Sequence, residues 1–160
     1  MSKTNVKTNA MRILDSHNIN YKIYSYDLEK DHIDGIEVAK KIGKDVTEVY
    51  KTLVAQGLSK EFYVYVIPVN ESLDLKKAAK AANEKNVEMI HVKDINKVTG
   101  YIRGGCSPIG MKKQYKTFIN KSAENLISII VSAGKIGYQI EVSPKDLLSL
   151  INFEFIDLIK

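Results

Sequence analysis

A glycine-rich segment with basic residues on both sides is the first place in this sequence where chemistry could occur. Residues 99–114 read TGYIRGGCSPIGMKKQ and hold four of the nine glycines of the chain. Glycine lets the backbone take positive φ and approach a ligand closely, so such a loop can direct main-chain N–H groups at an anionic or carbonyl oxygen. Arg103, Lys112 and Lys113 add positive charge. A tight turn between two elements has the same composition, so the sequence leaves both interpretations open.

Lys51 is the second candidate, because it interrupts an apolar strand, VYKTLVAQG (49–57). Alternation along a strand places it on the same face as Val49, Leu53 and Ala55. A lysine on a core-facing row costs free energy unless it is paired or opens onto a cavity. With the adjacent Thr52, its ammonium could bind a phosphate or polarise a carbonyl oxygen. The alternative is that this face of the strand is solvated.

Two further side chains could serve as nucleophiles. Ser132 lies at the end of a strand in VSAGK (131–135), but an ordinary hairpin has the same pattern. No G-x-S-x-G segment or serine–histidine spacing indicates a hydrolase triad. Cys106 has basic neighbours that would favour a thiolate, yet no base is identifiable near it, and a small semi-buried spacer is the favoured interpretation. The sequence therefore predicts no catalytic triad.

The histidines indicate no metal centre. His17, His32 and His91 are widely separated and have no metal-ligand spacing. We therefore expect neither a metal nor another cofactor.

The elements that position these residues follow from hydrophobic periodicity and from capping signals. In the first half we predict a helix over 3–17, a strand over 21–26, a polar connection over 27–34 and a helix from Asp34 to Gly43. These are followed by a hairpin of 49–57 with 61–69, a helix capped by Ser72 or Asp74, a strand over 86–90 and a helical turn from Asp94 to Gly100. Pro68 predicts that the second hairpin strand ends at an edge or a bulge.

The second half predicts a strand over 115–120 and a second hairpin of 124–134 with 135–142. Ser143 and Pro144 are typical of a helix start, so we expect a helix through Leu150, followed by the apolar tail FEFIDL. Together these elements predict an α+β fold with a mixed, largely antiparallel, curved β-sheet and flanking helices.

The composition of the chain limits the classes of protein to which it can belong. The 160 residues are 44% hydrophobic and 27% charged, which is typical of one globular domain, here 1–160. No apolar run approaches the ~20 residues of a membrane span, the start lacks a secretory signal, and a single cysteine fits a reducing cytoplasm. We expect a cytoplasmic monomer. The net charge of +5 is compatible with nucleic acid but is also common in lysine-rich proteins that bind nothing acidic.

The order of these motifs resembles the YbaK/EbsC family of aminoacyl-tRNA deacylases, relatives of the editing domain inserted in bacterial prolyl-tRNA synthetases. The resemblance covers residues 20–150, and the combination of motifs is specific. It is carried by YKTLV (50–54), LDLKKAAKA (73–81), VEM (87–89), TGYIRGGCSPIGMKK (99–113) and VSAGKIGYQIEVSPKDL (131–147).

The resemblance implies site residues. The family's near-invariant lysine falls on Lys51, beside Thr52, and these are the expected catalytic residues. The family's pocket tyrosine falls on Tyr26, and its pocket serine falls on Ser132, close to Gly134. Its GxxxP motif, which holds the terminal adenosine and the aminoacyl ester, supplies Gly104, Gly105, Ser107 and Pro108. These seven are the expected substrate-binding residues. The chain departs from the family pattern at two places. The family often has isoleucine where this chain has Cys106. The family's aromatic pocket residue would fall near Ile33 or Asp34, and neither of these is aromatic.

The resemblance also implies a function. The expected activity is trans-editing, in which cysteine is removed from mischarged Cys-tRNA(Pro), and from Cys-tRNA(Cys), through attack of the substrate's own thiol on its ester. The expected partners are the acceptor end of an aminoacylated tRNA and, as a candidate protein partner, prolyl-tRNA synthetase. The alternatives are a deacylase for another mischarged tRNA, such as Ala-tRNA(Pro), and a non-catalytic module that binds RNA or nucleotides.

Overall fold

Helices and strands are interspersed along the chain in the computed structural model, which describes residues 6–27 and 34–160. Within those ranges the four α-helices are α1 (Asn9–Ser16), α2 (Gly35–Ile42), α3 (Leu75–Ala81) and α4 (Ile95–Thr99). The eight strands are β1 (Lys22–Ser25), β2 (Tyr50–Gly57), β3 (Phe62–Pro68), β4 (Val87–Met89), β5 (Lys116–Asn120), β6 (Ile129–Ser132), β7 (Tyr138–Val142) and β8 (Phe153–Ile156).

The helix starts show why these segments fold locally. The Asp34 carboxylate accepts a hydrogen bond from the Glu37 N–H at the start of α2, and Asp74 does the same for the first turn of α3. Such caps satisfy N–H groups that have no partner within the helix. Both caps and the end of α2 at Gly43 agree with the sequence prediction. Helix α1 is shorter than the predicted 3–17, since the Thr8 side chain caps it.

The strands form two sheets. A three-stranded sheet has the order β1-β7-β6, and a five-stranded sheet has the order β4-β2-β3-β5-β8. The pairs β3–β5 and β5–β8 are parallel, whereas the other four pairs are antiparallel. A single parallel bridge between Val49 and Ile130 joins the two sheets. The predicted mixed α+β architecture and both predicted hairpins are confirmed.

Two details differ from the sequence prediction. Strand β3 ends at Pro68 but lies inside its sheet rather than at the edge; its pairing with β5 stops at Val66, so Pro68 needs to pair only with Tyr50. The helix predicted from Ser143 is a short 3₁₀ helix, Asp146–Ser149. The apolar tail that follows forms β8, because its alternating aromatic residues complete the sheet beside β5.

Three clusters of buried side chains hold the elements together. The largest joins α1 to the buried face of β6 and β7. A second lies between α3 and β3, where Tyr65 and Phe118 stack with ring centroids 5.5 Å apart. The third contains Ala39, Val49, Val69 and Ile130. Because it packs α2 against the start of β2, it places the helix next to Lys51.

No helix in the described part of the chain is long and apolar enough to cross a membrane.

Candidate active site

A cavity of about 650 Å³ lies where the two sheets, α2 and the glycine-rich loop meet. We call it the main cavity. Its volume is within the range of small-ligand sites, about 300–1,000 Å³. Five of the residues predicted to act in the site line it: Tyr26, Lys51, Thr52, Gly104 and Ser132. The fold therefore brings together residues from β2, β6, the loop and the segment after β1.

Lys51 lies on β2 opposite Ile67 and borders the main cavity. Burial lowers the pKa of its ammonium, while the nearby carboxylates of Asp34 and Glu71 act in the opposite direction. The ammonium makes no hydrogen bond or ion pair with any residue in 6–27 and 34–160. It is therefore available to an oxygen of a bound ligand.

Thr52 follows directly and also lines the main cavity. Its hydroxyl oxygen is buried and has no hydrogen-bond partner within the described ranges. A buried hydroxyl without a partner costs free energy, about 1–3 kcal/mol. Because the oxygen is closed off from solvent, a ligand would reach it only after a movement of the side chains around it.

Gln139 is a cavity residue that the sequence analysis missed. It lies on β7 opposite Ser132 of β6, lines the main cavity and is only 6% exposed. No hydrogen bond joins its carboxamide to a described residue. The signal in the sequence was a polar residue inside the apolar strand YQIEV, seven positions after the predicted pocket serine.

The glycine-rich loop contributes Arg103, Gly104 and Cys106 to the wall of the main cavity. Burial raises the pKa of the Cys106 thiol to about 11. At neutral pH this thiol is therefore protonated, which opposes a role as a nucleophile. The favoured interpretation of Cys106 as a small, semi-buried spacer agrees with this environment.

Four predicted substrate-binding residues are not among the residues that line the main cavity. Ser107 is fully buried, and its hydroxyl accepts from the Ile109 N–H. Pro108 borders a separate cavity of about 140 Å³. Gly105 packs against the backbone of residues 135–136, and Gly134 packs against the ring of Tyr101. These residues shape the loop and the β6–β7 turn behind the cavity wall, and a direct role in binding stays a prediction.

The remaining candidates are placed as follows. Tyr26 reaches the wall after β1, with its N–H donating to the Gly137 carbonyl oxygen. The Ser132 hydroxyl accepts from the Gly134 N–H. Ile33 lies outside the described residues, whereas Asp34 lines the cavity as the cap of α2. Among the described residues there is no group of three or more His, Cys, Asp or Glu side chains that could hold a metal ion.

Comparisons with known proteins agree on one family. A model of the aminoacyl-tRNA editing domain matches residues 32–150. A protein of Enterococcus faecalis, named as a candidate Cys-tRNA(Pro)/Cys-tRNA(Cys) deacylase EbsC, is 49% identical over 98% of this chain and 95% of its own length.

Solved structures show that the fold is shared. One is described as a candidate trans-editing enzyme for prolyl tRNA synthetase; it has a TM-score of 0.81 at 20% identity and covers 98% of this chain and 99% of its own. Another, described as a hypothetical protein, has a TM-score of 0.80 at 18% identity and covers 93% of this chain and 97% of its own.

Proposed function

This chain belongs to the aminoacyl-tRNA editing domain family, and we propose that it is a trans-editing deacylase that removes cysteine from mischarged Cys-tRNA(Pro) and from Cys-tRNA(Cys). The observation that carries the proposal is the main cavity, which Lys51 borders with an ammonium that has no partner in the described part of the protein. The named substrate of the Enterococcus faecalis relative supports the choice of amino acid.

The aminoacyl ester of a tRNA is already activated, so its cleavage needs orientation and charge stabilisation more than a strong protein nucleophile. In our proposal Lys51 stabilises the negative charge that develops on the ester carbonyl oxygen. Gly104 and its neighbours in the loop hold the terminal adenosine. Cys106 takes no part in bond formation, because burial raises the pKa of its thiol to about 11. It therefore forms a thiolate less readily than the substrate thiol, whose ordinary pKa is about 8.5.

The nucleophile we propose is the thiol of the substrate cysteine. The thiol first loses its proton to water. Its sulfur then attacks the ester carbonyl carbon, the bond from that carbon to the ribose oxygen breaks, and the ribose oxygen takes up a proton from water. The product is a four-membered thiolactone, which water opens to cysteine. Serine and alanine lack the thiol, so discrimination is chemical and is supplemented by the size of the cavity.

We further propose that the whole chain, 1–160, is one editing domain that works as a monomer in the cytoplasm. The acceptor end of the tRNA is its substrate, and prolyl-tRNA synthetase is the protein partner that supplies tRNA identity. This part is tested by sedimentation of the free protein and by adding prolyl-tRNA synthetase to the deacylation assay. A dimer, or a rate and tRNA preference unchanged by the synthetase, would contradict it.

The decisive experiment uses a panel of charged tRNAs. We expect turnover of Cys-tRNA(Pro), little turnover of Ala-tRNA(Pro), and none when the cysteine thiol is blocked by S-methylation. Cys106→Ala is the control for a nucleophile supplied by the protein, and it should still turn over Cys-tRNA(Pro). No turnover of Cys-tRNA(Pro) would contradict the proposed function. Equal turnover of the S-methylated substrate would contradict only the thiol mechanism.

A further inference from the structure

A second groove adjoins the main cavity on the other side of β4. It has a volume of about 370 Å³ and lies between the β2–β3 turn, β4 and α4. Met89 and Ile90 line both spaces. We call this space the β4 groove. The two spaces therefore adjoin each other at these two residues.

The β4 groove presents two lysines that the protein itself does not use. Lys60, in the β2–β3 turn, and Lys97, on α4, both line it. Neither ammonium has a hydrogen bond or an ion pair with a residue of the described ranges. A third lysine, Lys112, lies near α4, since its ammonium donates to the backbone carbonyl oxygen of Lys97 over 3.3 Å. Lysines placed in this way are typical of contacts with phosphate oxygens.

The rest of the lining is apolar and acidic. Leu58 is 61% exposed and Met89 is 42% exposed, so a flat base could pack against both. Glu88 and Asp94 supply carboxylates. A carboxylate accepts a hydrogen bond from the exocyclic amino group of cytosine, whereas uracil carries at the same position a carbonyl oxygen, which a carboxylate repels. Lysines with carboxylates and apolar side chains match a single cytidine nucleotide better than a stretch of duplex backbone.

We propose that the β4 groove binds the cytidine that precedes the terminal adenosine of the tRNA, with the phosphates on either side of this cytidine contacting Lys60 and Lys97. The inference rests on the proposed function, which places the terminal adenosine in the main cavity. Every tRNA acceptor end carries the sequence CCA, so the groove recognises a feature common to all tRNAs. Binding this cytidine strengthens the binding of the tRNA and positions its aminoacyl ester in the main cavity, without selecting one tRNA over another.

The test measures binding, so that it does not depend on turnover. The probes are adenosine and a CCA trinucleotide, each carrying cysteine through a stable 3′-amide in place of the ester, and their affinities are measured by calorimetry. We expect the trinucleotide to bind about tenfold more tightly than the nucleoside. In Lys60→Gln/Lys97→Gln this advantage should fall to about twofold. For the trinucleotide, the plot of log K for binding against log salt concentration should be less steep in the variant than in the wild type. The difference in slope should be about 1.4, which is about 0.7 for each of the two single-strand phosphates that the variant no longer neutralises.

Two matched controls accompany the variant. Lys76→Gln/Lys80→Gln removes the same charge from exposed positions on α3 that line neither space, and it should bind both probes like the wild type. A CUA trinucleotide replaces the cytosine amino group by a carbonyl oxygen. It keeps both phosphates, so it should bind the wild type about twofold more weakly than CCA, which is the part of the advantage that the lysines do not supply.

The outcomes separate the two proposals. An equal affinity for nucleoside and trinucleotide, or a trinucleotide advantage that survives in Lys60→Gln/Lys97→Gln, overturns the groove assignment. Equal binding of CUA and CCA overturns the recognition of the base. Turnover of Cys-tRNA(Pro) by the wild type is measured in parallel. Its absence, with the groove results as expected, contradicts the proposed deacylase and leaves the nucleotide site standing.

Discussion

Ser132 and Gln139 pair across the antiparallel strands β6 and β7, and both border the main cavity. Their polar groups differ in hydrogen bonding. The Ser132 hydroxyl accepts from the Gly134 N–H, whereas the Gln139 carboxamide has no partner among the described residues although the side chain is only 6% exposed. The serine is therefore held by the turn, and the glutamine is the member of the pair that is free to bind a ligand.

Replacing Gln139 by leucine separates binding from stability. Since no protein group loses a partner, we expect the free energy of unfolding to change by less than about 0.5 kcal/mol. We expect KM for Cys-tRNA(Pro) to rise about tenfold, which corresponds to the loss of about 1.4 kcal/mol of binding. Chemical denaturation and steady-state kinetics measure the two quantities. A large loss of stability with unchanged kinetics would show that Gln139 is a structural residue.

Thr52→Val should make the protein more stable and less active. Valine has nearly the shape of threonine but no hydroxyl, so the substitution removes a buried oxygen that lacks a partner in the described structure. We expect the free energy of unfolding to rise by about 1 kcal/mol and deacylation to slow about tenfold, since one hydrogen bond to the substrate is removed. Thr52→Ser, which retains the hydroxyl, is the control for activity. A destabilised Thr52→Val variant would indicate that the hydroxyl is bonded in the folded protein.

Alanine at Gly134 should destabilise the protein more than alanine at Gly104. Both glycines have positive φ, +96° and +86°. A Cβ at Gly134 would lie 2.9 Å from Cε1 of Tyr101, whereas a Cβ at Gly104 would have its nearest neighbour, a side-chain carbon of Ile136, at 3.6 Å. We expect a loss of about 1 kcal/mol at Gly104 from backbone strain alone and a larger loss at Gly134. Equal losses in thermal unfolding would contradict the close contact with Tyr101.

The rate of deacylation should depend on pH with a maximum. It should rise as the substrate thiol, with an ordinary pKa of about 8.5, loses its proton. It should then fall as Lys51 loses its proton, because the ammonium is the active form. Burial lowers the pKa of Lys51, so this fall should begin at a lower pH than for a free lysine.

Lys51→Arg is the control for that profile, after subtraction of uncatalysed ester hydrolysis. The arginine side chain keeps its charge throughout this range, so the falling limb should disappear in whatever activity remains. A falling limb at the same pH in Lys51→Arg would assign it to another group.

Much of the fold was predictable because local signals agreed with the tertiary structure. The caps at Asp34 and Asp74 and both hairpins depend on neighbouring residues, which a single sequence shows directly. The parallel pairing of β5 with β3 and β8 depends on contacts between distant segments, and no local pattern specifies it. For the same reason the tail at 153–156 could be recognised as apolar but not as an edge strand.

Which residues border the main cavity was predictable to a similar extent. Lys51 could be found because a lysine in an apolar strand needs an explanation. Ser107 and Pro108 were selected with the loop as a whole, but the direction in which a loop residue faces depends on its φ and ψ angles and on its neighbours. The Ser107 hydroxyl is used within the loop. Gln139 was missed because its importance lies in the absence of a partner, and only the structure shows that.

The role of Lys51 is the central claim, and single-turnover deacylation of Cys-tRNA(Pro) tests it most directly. The wild type and Lys51→Ala are compared at equal concentrations, with Lys80→Ala as the control for loss of a positive charge elsewhere. We expect Lys51→Ala to slow release of cysteine about 100-fold or more, as for the loss of one group that stabilises a developing oxyanion, and Lys80→Ala to match the wild type. A folded Lys51→Ala variant that releases cysteine within about threefold of the wild-type rate would contradict the account.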